Sequence, residues 1–138
     1  MPTQPDEVNL NKAAIIERCI TRIKQEYRAC PELDNFTHVD AMILNIERAC
    51  QAAIDMATHL AAIKHLGIPQ SAANAFELLC NASLIDKSVM KAMKAISGFR
   101  NVVVHQYQDI DMEILKFIAE KGFEDFIAYC RQLGITIK

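Results

Sequence analysis

The sequence is poor in the devices that usually announce a function. It has four glycines and four prolines in 138 residues, scattered rather than clustered. No glycine-rich loop that could cradle a phosphate follows from them. The five cysteines, Cys19, Cys30, Cys50, Cys80 and Cys130, form no C-x-x-C pair, and their odd number excludes a complete disulfide framework. They are expected as small buried apolar side chains in a reducing compartment. His59 and His65 are six apart, not the four that places two histidines on one helix face, so no metal site is expected. No apolar run approaches the roughly 20 residues that span a bilayer, and Met1 to Asn9 lacks the apolar core of a signal peptide. No membrane association is expected, and the cytoplasm is the expected location. The net charge of −2 argues against general coating of nucleic acid, so any RNA contact must come from a local patch.

What remains is a helical chain. Hydrophobic residues make up 51% and charged residues 23%, which excludes disorder, and 138 residues suit one domain, 1–138, with a loose arm over 1–8. Asn9 or Asn11 is expected to cap a first helix with Leu10, Ala13, Ile16, Ile20, Ile23 and Tyr27 inward, ended by Pro31. Thr37 and Asp40 form a capping-box-like start for a long second helix to about Leu66, closed by Gly67. Ser71 caps a third helix through Ala82, Asp86 a fourth from Lys87, and Asp109 or Asp111 a fifth from Met112 to Leu133, closed by Gly134. The fold class is all-α, an antiparallel bundle of four to five helices.

Chemistry concentrates in Arg100-Asn-Val-Val-Val-His105-Gln-Tyr107. On a helical wheel from Lys87, the side chains of Lys87, Lys91, Lys94, Gly98, Asn101 and His105 follow one face, and Val89, Ala92, Met93, Ile96, Phe99 and Val103 the other. Arg100 and Tyr107 fall among the apolar set. An arginine there needs a partner. The helix can bend at Gly98, Arg100 can pair with an inward acid such as Asp55 or Glu77, or that side can be a cleft facing a second copy. Arg100 and His105 diverge by about 140° on a straight helix, but two copies on a two-fold axis bring two arginines and two histidines together. Such a set can cleave RNA without metal. One histidine takes the proton of a 2′-hydroxyl, another protonates the leaving oxygen, and arginine stabilises the charge on the phosphate. The ordinary alternatives stay open: a capping histidine near a helix C-terminus, a structural arginine ion pair, a packed tyrosine and a solvated lysine face.

Arg100-Asn101-x-x-x-His105-x-Tyr107 resembles the R-x4-H-x-Y motif of HEPN-domain proteins, in particular the HepT-like toxins, and the helical layout and late position of the motif agree. The resemblance implies a two-fold symmetric homodimer acting as a metal-independent ribonuclease, with Arg100 and His105 catalytic and no cofactor. Asn101 would position RNA or the histidine, with Lys91 and Lys94 as further RNA contacts. It also implies an MNT-type nucleotidyltransferase antitoxin that transfers AMP onto Tyr107. The alternative from another class is a non-catalytic helical adaptor or nucleotide-binding module serving the same nucleotidyltransferase.

Overall fold

A computed structural model of the protein describes residues 5–105 and 112–138, the side chains of 100–105 excepted. Six α-helical segments follow in order: α1 Glu7–Ala29, α2 Phe36–Ile63, α3 Ala72–Asn81, α4 Lys87–His105, α5 Met112–Phe117 and α6 Phe123–Gln132. A π-helical turn, Ile118–Gly122, joins the last two. There is no strand among the described residues, as the sequence predicts.

The helix starts are set by side chains that satisfy otherwise unpaired backbone N–H groups. Ser71 accepts from the N–H of Asn74 at 3.0 Å and Asp86 from that of Val89 at 2.8 Å, as expected. The first two caps differ from expectation. Asp6 caps α1 by accepting from the N–H of Asn9, so the helix begins inside the stretch expected to be a loose arm. Asn35 caps α2 through the N–H of Thr37, which places Thr37 within the first turn rather than at the cap. In both cases several capping residues stand close together, and only the chain's path selects one.

The ends of α2, α3 and α6 share one device. The residue after the cap adopts a left-handed conformation while the next N–H reaches back five residues. His65 does this for α2, with the N–H of Leu66 donating to the carbonyl of Ala61; Ser83 does it for α3, and Gly134 for α6. The expected closing residue of α2, Gly67, lies beyond the motif, although its φ of +123° still demands glycine.

Helices α1 and α2 pack antiparallel. Contacts between Asp6 and His59 and between Lys12 and Asp55 tie one end, and Glu26 with His38 ties the other. Ala13, Ile16, Ile20 and Ile23 of α1 face inward as expected, but Leu10 is exposed and Asn9 and Cys19 are buried. A start at Glu7 puts Asn9 on the inward stripe and turns Leu10 about 100° away. The core continues through Met42, Ile46, Met56 and Leu60 of α2, Phe76 and Leu79 of α3, Val89, Met93, Ile96 and Phe99 of α4, and Phe126 and Tyr129 of α6. The tail is irregular, yet Ile135 and Ile137 pack into the same core. Cys19, Cys30, Cys50 and Cys130 are buried thiols, Cys80 is half-buried, and burial pushes the Cys130 thiol up to about 12.

The fifth helix expected from Met112 to Leu133 is interrupted. The π turn inserts one residue into the ladder, and Gly122 sits where a Cβ would lie 3.2 Å from the Phe117 ring. At the centre, the fully buried Tyr129 hydroxyl donates to the carbonyl of Ala53 at 2.9 Å, and its ring meets Phe76 edge-to-face, centroids 5.5 Å apart. Tyr129→Phe is expected to lower unfolding free energy by about 1 kcal/mol, the ordinary worth of one buried hydrogen bond. Urea denaturation checks this, and an unchanged midpoint would show that the hydroxyl contributes nothing.

Candidate functional site

Helix α4 carries the Arg100–His105 part of the motif, and its placement follows from its apolar side. Val89, Met93, Ile96 and Phe99 recur at three- and four-residue spacing and are buried, while Lys87, Lys91 and Gly98 are exposed. The Cys50 thiol of α2 donates to the carbonyl of Ile96 at 3.7 Å and Ser97 closes onto the carbonyl of Met93, so the middle of α4 is locked against α2. This is the wheel the sequence predicts, and Gly98 has open space where its side chain would be.

The start of α4 is clamped to the end of α6. Gln132 accepts from the N–H of Asp86 at 2.8 Å and donates to the Asp86 carboxylate at 2.9 Å. α6 begins beside Lys24 of α1, whose ammonium sits over the Phe123 ring, and ends beside the middle of α2. From that level α4 runs about 28 Å at 1.5 Å per residue, passing Cys50 on the way. Its last six residues, 100–105, therefore head for the end of the bundle formed by the α1–α2 turn and the start of α5. The backbone there is helical. The side chains of Arg100, Asn101 and His105 lie outside the described residues, and so does Tyr107 altogether, with the expected caps Asp109 and Asp111.

The surroundings are described. Both acids weighed as partners for Arg100 already hold a lysine: Asp55 binds Lys12, and Glu77 binds Lys94, each at 3.1 Å. The Lys94 contact, with help from Asn74, holds the Glu77 carboxyl below its ordinary value. Lys94 thus has its charge engaged by a carboxylate, whereas Lys91, one turn earlier, is exposed. Two features had no sequence signal. His38 bonds to Glu26, which also accepts from Arg22 at 2.8 Å, a tether between α1 and α2. A notch lined by Lys24, Tyr27 and Arg28 opens between α1 and the π turn at the same end as the last turns of α4. Outside the π turn, each of these residues reads from sequence as an ordinary surface or packing position. No group of three histidine, cysteine or acidic side chains able to hold a metal occurs among the described residues.

Three comparisons bear on this arrangement. Residues 16–133 match the family model described as ribonuclease HepT-like. The mRNA nuclease HepT of Shewanella oneidensis is 38% identical over 122 residues, spanning 88% of this chain and 92% of that protein. Among solved structures, a toxin–antitoxin with AMP-PNP superposes with a TM-score of 0.89 at 35% identity, covering 94% of this chain and 99% of the other. A tri-AMPylated Shewanella oneidensis HEPN toxin in complex with an MNT antitoxin also gives 0.89, at 36% identity over 94% and 98%.

The N-terminal clamp of α4 yields a pH signature. The N–H of Val89 first, then Gln132 and the N–H of Ser88, hold the Asp86 carboxyl below the 3.8 of an unperturbed aspartate. A depressed folded value means the stabilisation is complete above about 4 and is lost as pH falls through the folded value. Asp86→Ala is expected to lower Tm at neutral pH, with the gap to the parent narrowing below pH 3.8. A gap that stays constant down to pH 2 would mean that charge plays no part in the cap.

Proposed function

Because the chain belongs to the ribonuclease HepT-like family, we propose that it is the toxin of a HEPN/MNT toxin–antitoxin pair, a metal-independent RNA endonuclease working in the cytoplasm. The observation that carries the reading is the complete Arg100-Asn101-x-x-x-His105-x-Tyr107 set in the sequence, whose first six residues end helix α4. An adaptor has no need of both the arginine and the histidine. Among the described residues no helix is long and apolar enough to cross a membrane.

In this mechanism two copies of the single 1–138 domain meet about a two-fold axis along the ends of α4. Exposed apolar side chains on α5 next to this end, Ile114 at 44% and Phe117 at 54%, supply surface for such a contact. His105 accepts the proton of an RNA 2′-hydroxyl, whose oxygen attacks the adjacent phosphorus. The bond to the 5′-oxygen breaks, and His105 of the partner subunit returns a proton to it. Arg100 spans the phosphate with two parallel hydrogen bonds and stabilises the added charge of the transition state. Asn101 orients RNA or the histidine, and the exposed Lys91 draws the RNA backbone towards the cleft, with Lys94 joining it by exchanging Glu77 for a phosphate. Control follows the solved relatives. The antitoxin brings ATP, the Tyr107 phenol attacks its α-phosphorus, and pyrophosphate leaves. Each AMP added places negative charge and bulk where RNA must enter.

The test is RNA cleavage by the purified chain in EDTA. His105→Ala and Arg100→Ala are each expected to lower the rate by about a hundredfold or more while dimerisation and Tm stay close to the parent's. Tyr107→Phe is expected to cut RNA at the parental rate but to gain no mass on incubation with the antitoxin and ATP. Parental cleavage by His105→Ala, or activity that EDTA abolishes and a divalent metal restores, would overturn the mechanism.

A further inference from the structure

The notch between α1 and the π turn has the composition of a nucleotide subsite. It encloses about 360 Å³ and is lined by Lys24, Tyr27, Arg28, Ala119, Glu120 and Phe123. Two aromatic rings supply its apolar surface. Lys24 lies 4.2 Å from the Phe123 ring centroid, and Tyr27 packs against the core with its hydroxyl towards Glu120. Burial and then the Glu120 carboxylate keep that phenol protonated, so it donates. Glu26, the acid nearest in sequence, is taken up by Arg22 and His38, and neither Lys24 nor Arg28 has an ion-pair partner among the described residues. Two cations beside two rings at a concave surface is how single-stranded nucleic acid is held, by phosphate contact and stacking. Glu120 adds selectivity, since a carboxylate accepts from an exocyclic amino group and finds no such donor on uracil. The π turn shapes this wall, and π turns inside α-helices recur at functional sites. The notch also sits at the end of the bundle towards which α4 carries Arg100 and His105.

We propose that this notch binds one unpaired RNA nucleotide flanking the cut. Tyr27 and Phe123 contact the base, Glu120 accepts from its amino group, and Lys24 and Arg28 hold its phosphate. The proposal rests on the ribonuclease reading and adds to it where the substrate lies outside the motif. It predicts a preference for adenine-, cytosine- or guanine-containing single strands over oligouridine.

The test is equilibrium binding of labelled single-stranded RNA to the full chain carrying His105→Ala, so that binding is read without cleavage. Arg28→Ala and Lys24→Gln are each expected to weaken binding several-fold and to reduce the slope of log affinity against log salt by ~0.7, the value for one phosphate contact on a single strand. Tyr27→Leu is expected to lose about tenfold through lost stacking, and Tyr27→Phe to keep its affinity for RNA. Lys64→Ala, an exposed cation at the other end of α2, is the control and is expected to bind as the parent does. Arg28 is exposed, so its variant stays informative even if Tyr27→Leu folds poorly. If the parent binds and cuts RNA while Arg28→Ala, Lys24→Gln and Tyr27→Leu bind as tightly with the same salt slope, the subsite is overturned and the nuclease reading stands. If the motif-intact chain does not cut RNA and its His105→Ala form does not bind it, both fall.

Discussion

The seam between α4 and the rest of the bundle is the constraint on which the other features depend. Val89, Met93, Ile96 and Phe99 fix the rotation of α4 about its own axis, because turning any of them outward would expose apolar surface worth roughly 1.5–3 kcal/mol per side chain. The Asp86–Gln132 pair fixes its height against α6. With rotation and height set, the polar stripe that begins with Lys87 and Lys91 can only face outward, and the last turns can only project at one end of the bundle. The packing of the core thus sets where the last turns of α4 lie.

How much of this was legible in sequence depends on how far apart the deciding residues lie. The buried face of α4 was readable because its periodicity is local, and Ser71, Asp86 and Gly134 because each cap or stop stands alone. The starts of α1 and α2 were misplaced where Asp6, Asn9 and Asn11, or Asn35 and Thr37, compete within one turn. His65 closes α2 in a left-handed conformation that favours glycine, and the nearby Gly67 was the natural choice from sequence. The π turn left no trace, since one extra residue in the ladder hardly alters an apolar pattern that still serves Leu115, Ile118, Phe126 and Tyr129. The motif, eight residues long, was legible as a unit. The Lys94–Glu77 pair and the Lys24–Tyr27–Arg28 notch were not, because both are made by helices that meet only in the folded chain.

The histidines show the same division. Three of the four lie outside the motif. His38 and His59 join α2 to α1 through Glu26 and Asp6, and His65 ends a helix. Pairs this exposed contribute little stability one at a time, but they sit at opposite ends of the α1–α2 hairpin and hold its register. The remaining one, His105, is the histidine to which the proposed mechanism gives the proton transfers.

The proposed mechanism depends most directly on its nucleophile, the 2′-hydroxyl of the RNA itself. The decisive measurement compares an RNA oligonucleotide cut by this chain with the same oligonucleotide carrying one 2′-deoxy nucleotide on the 5′ side of the cut. Cleavage at that bond should disappear while the RNA still binds. Continued cleavage there at a similar rate would show that water or a protein group attacks instead, and the roles given to His105 and Arg100 would have to be abandoned.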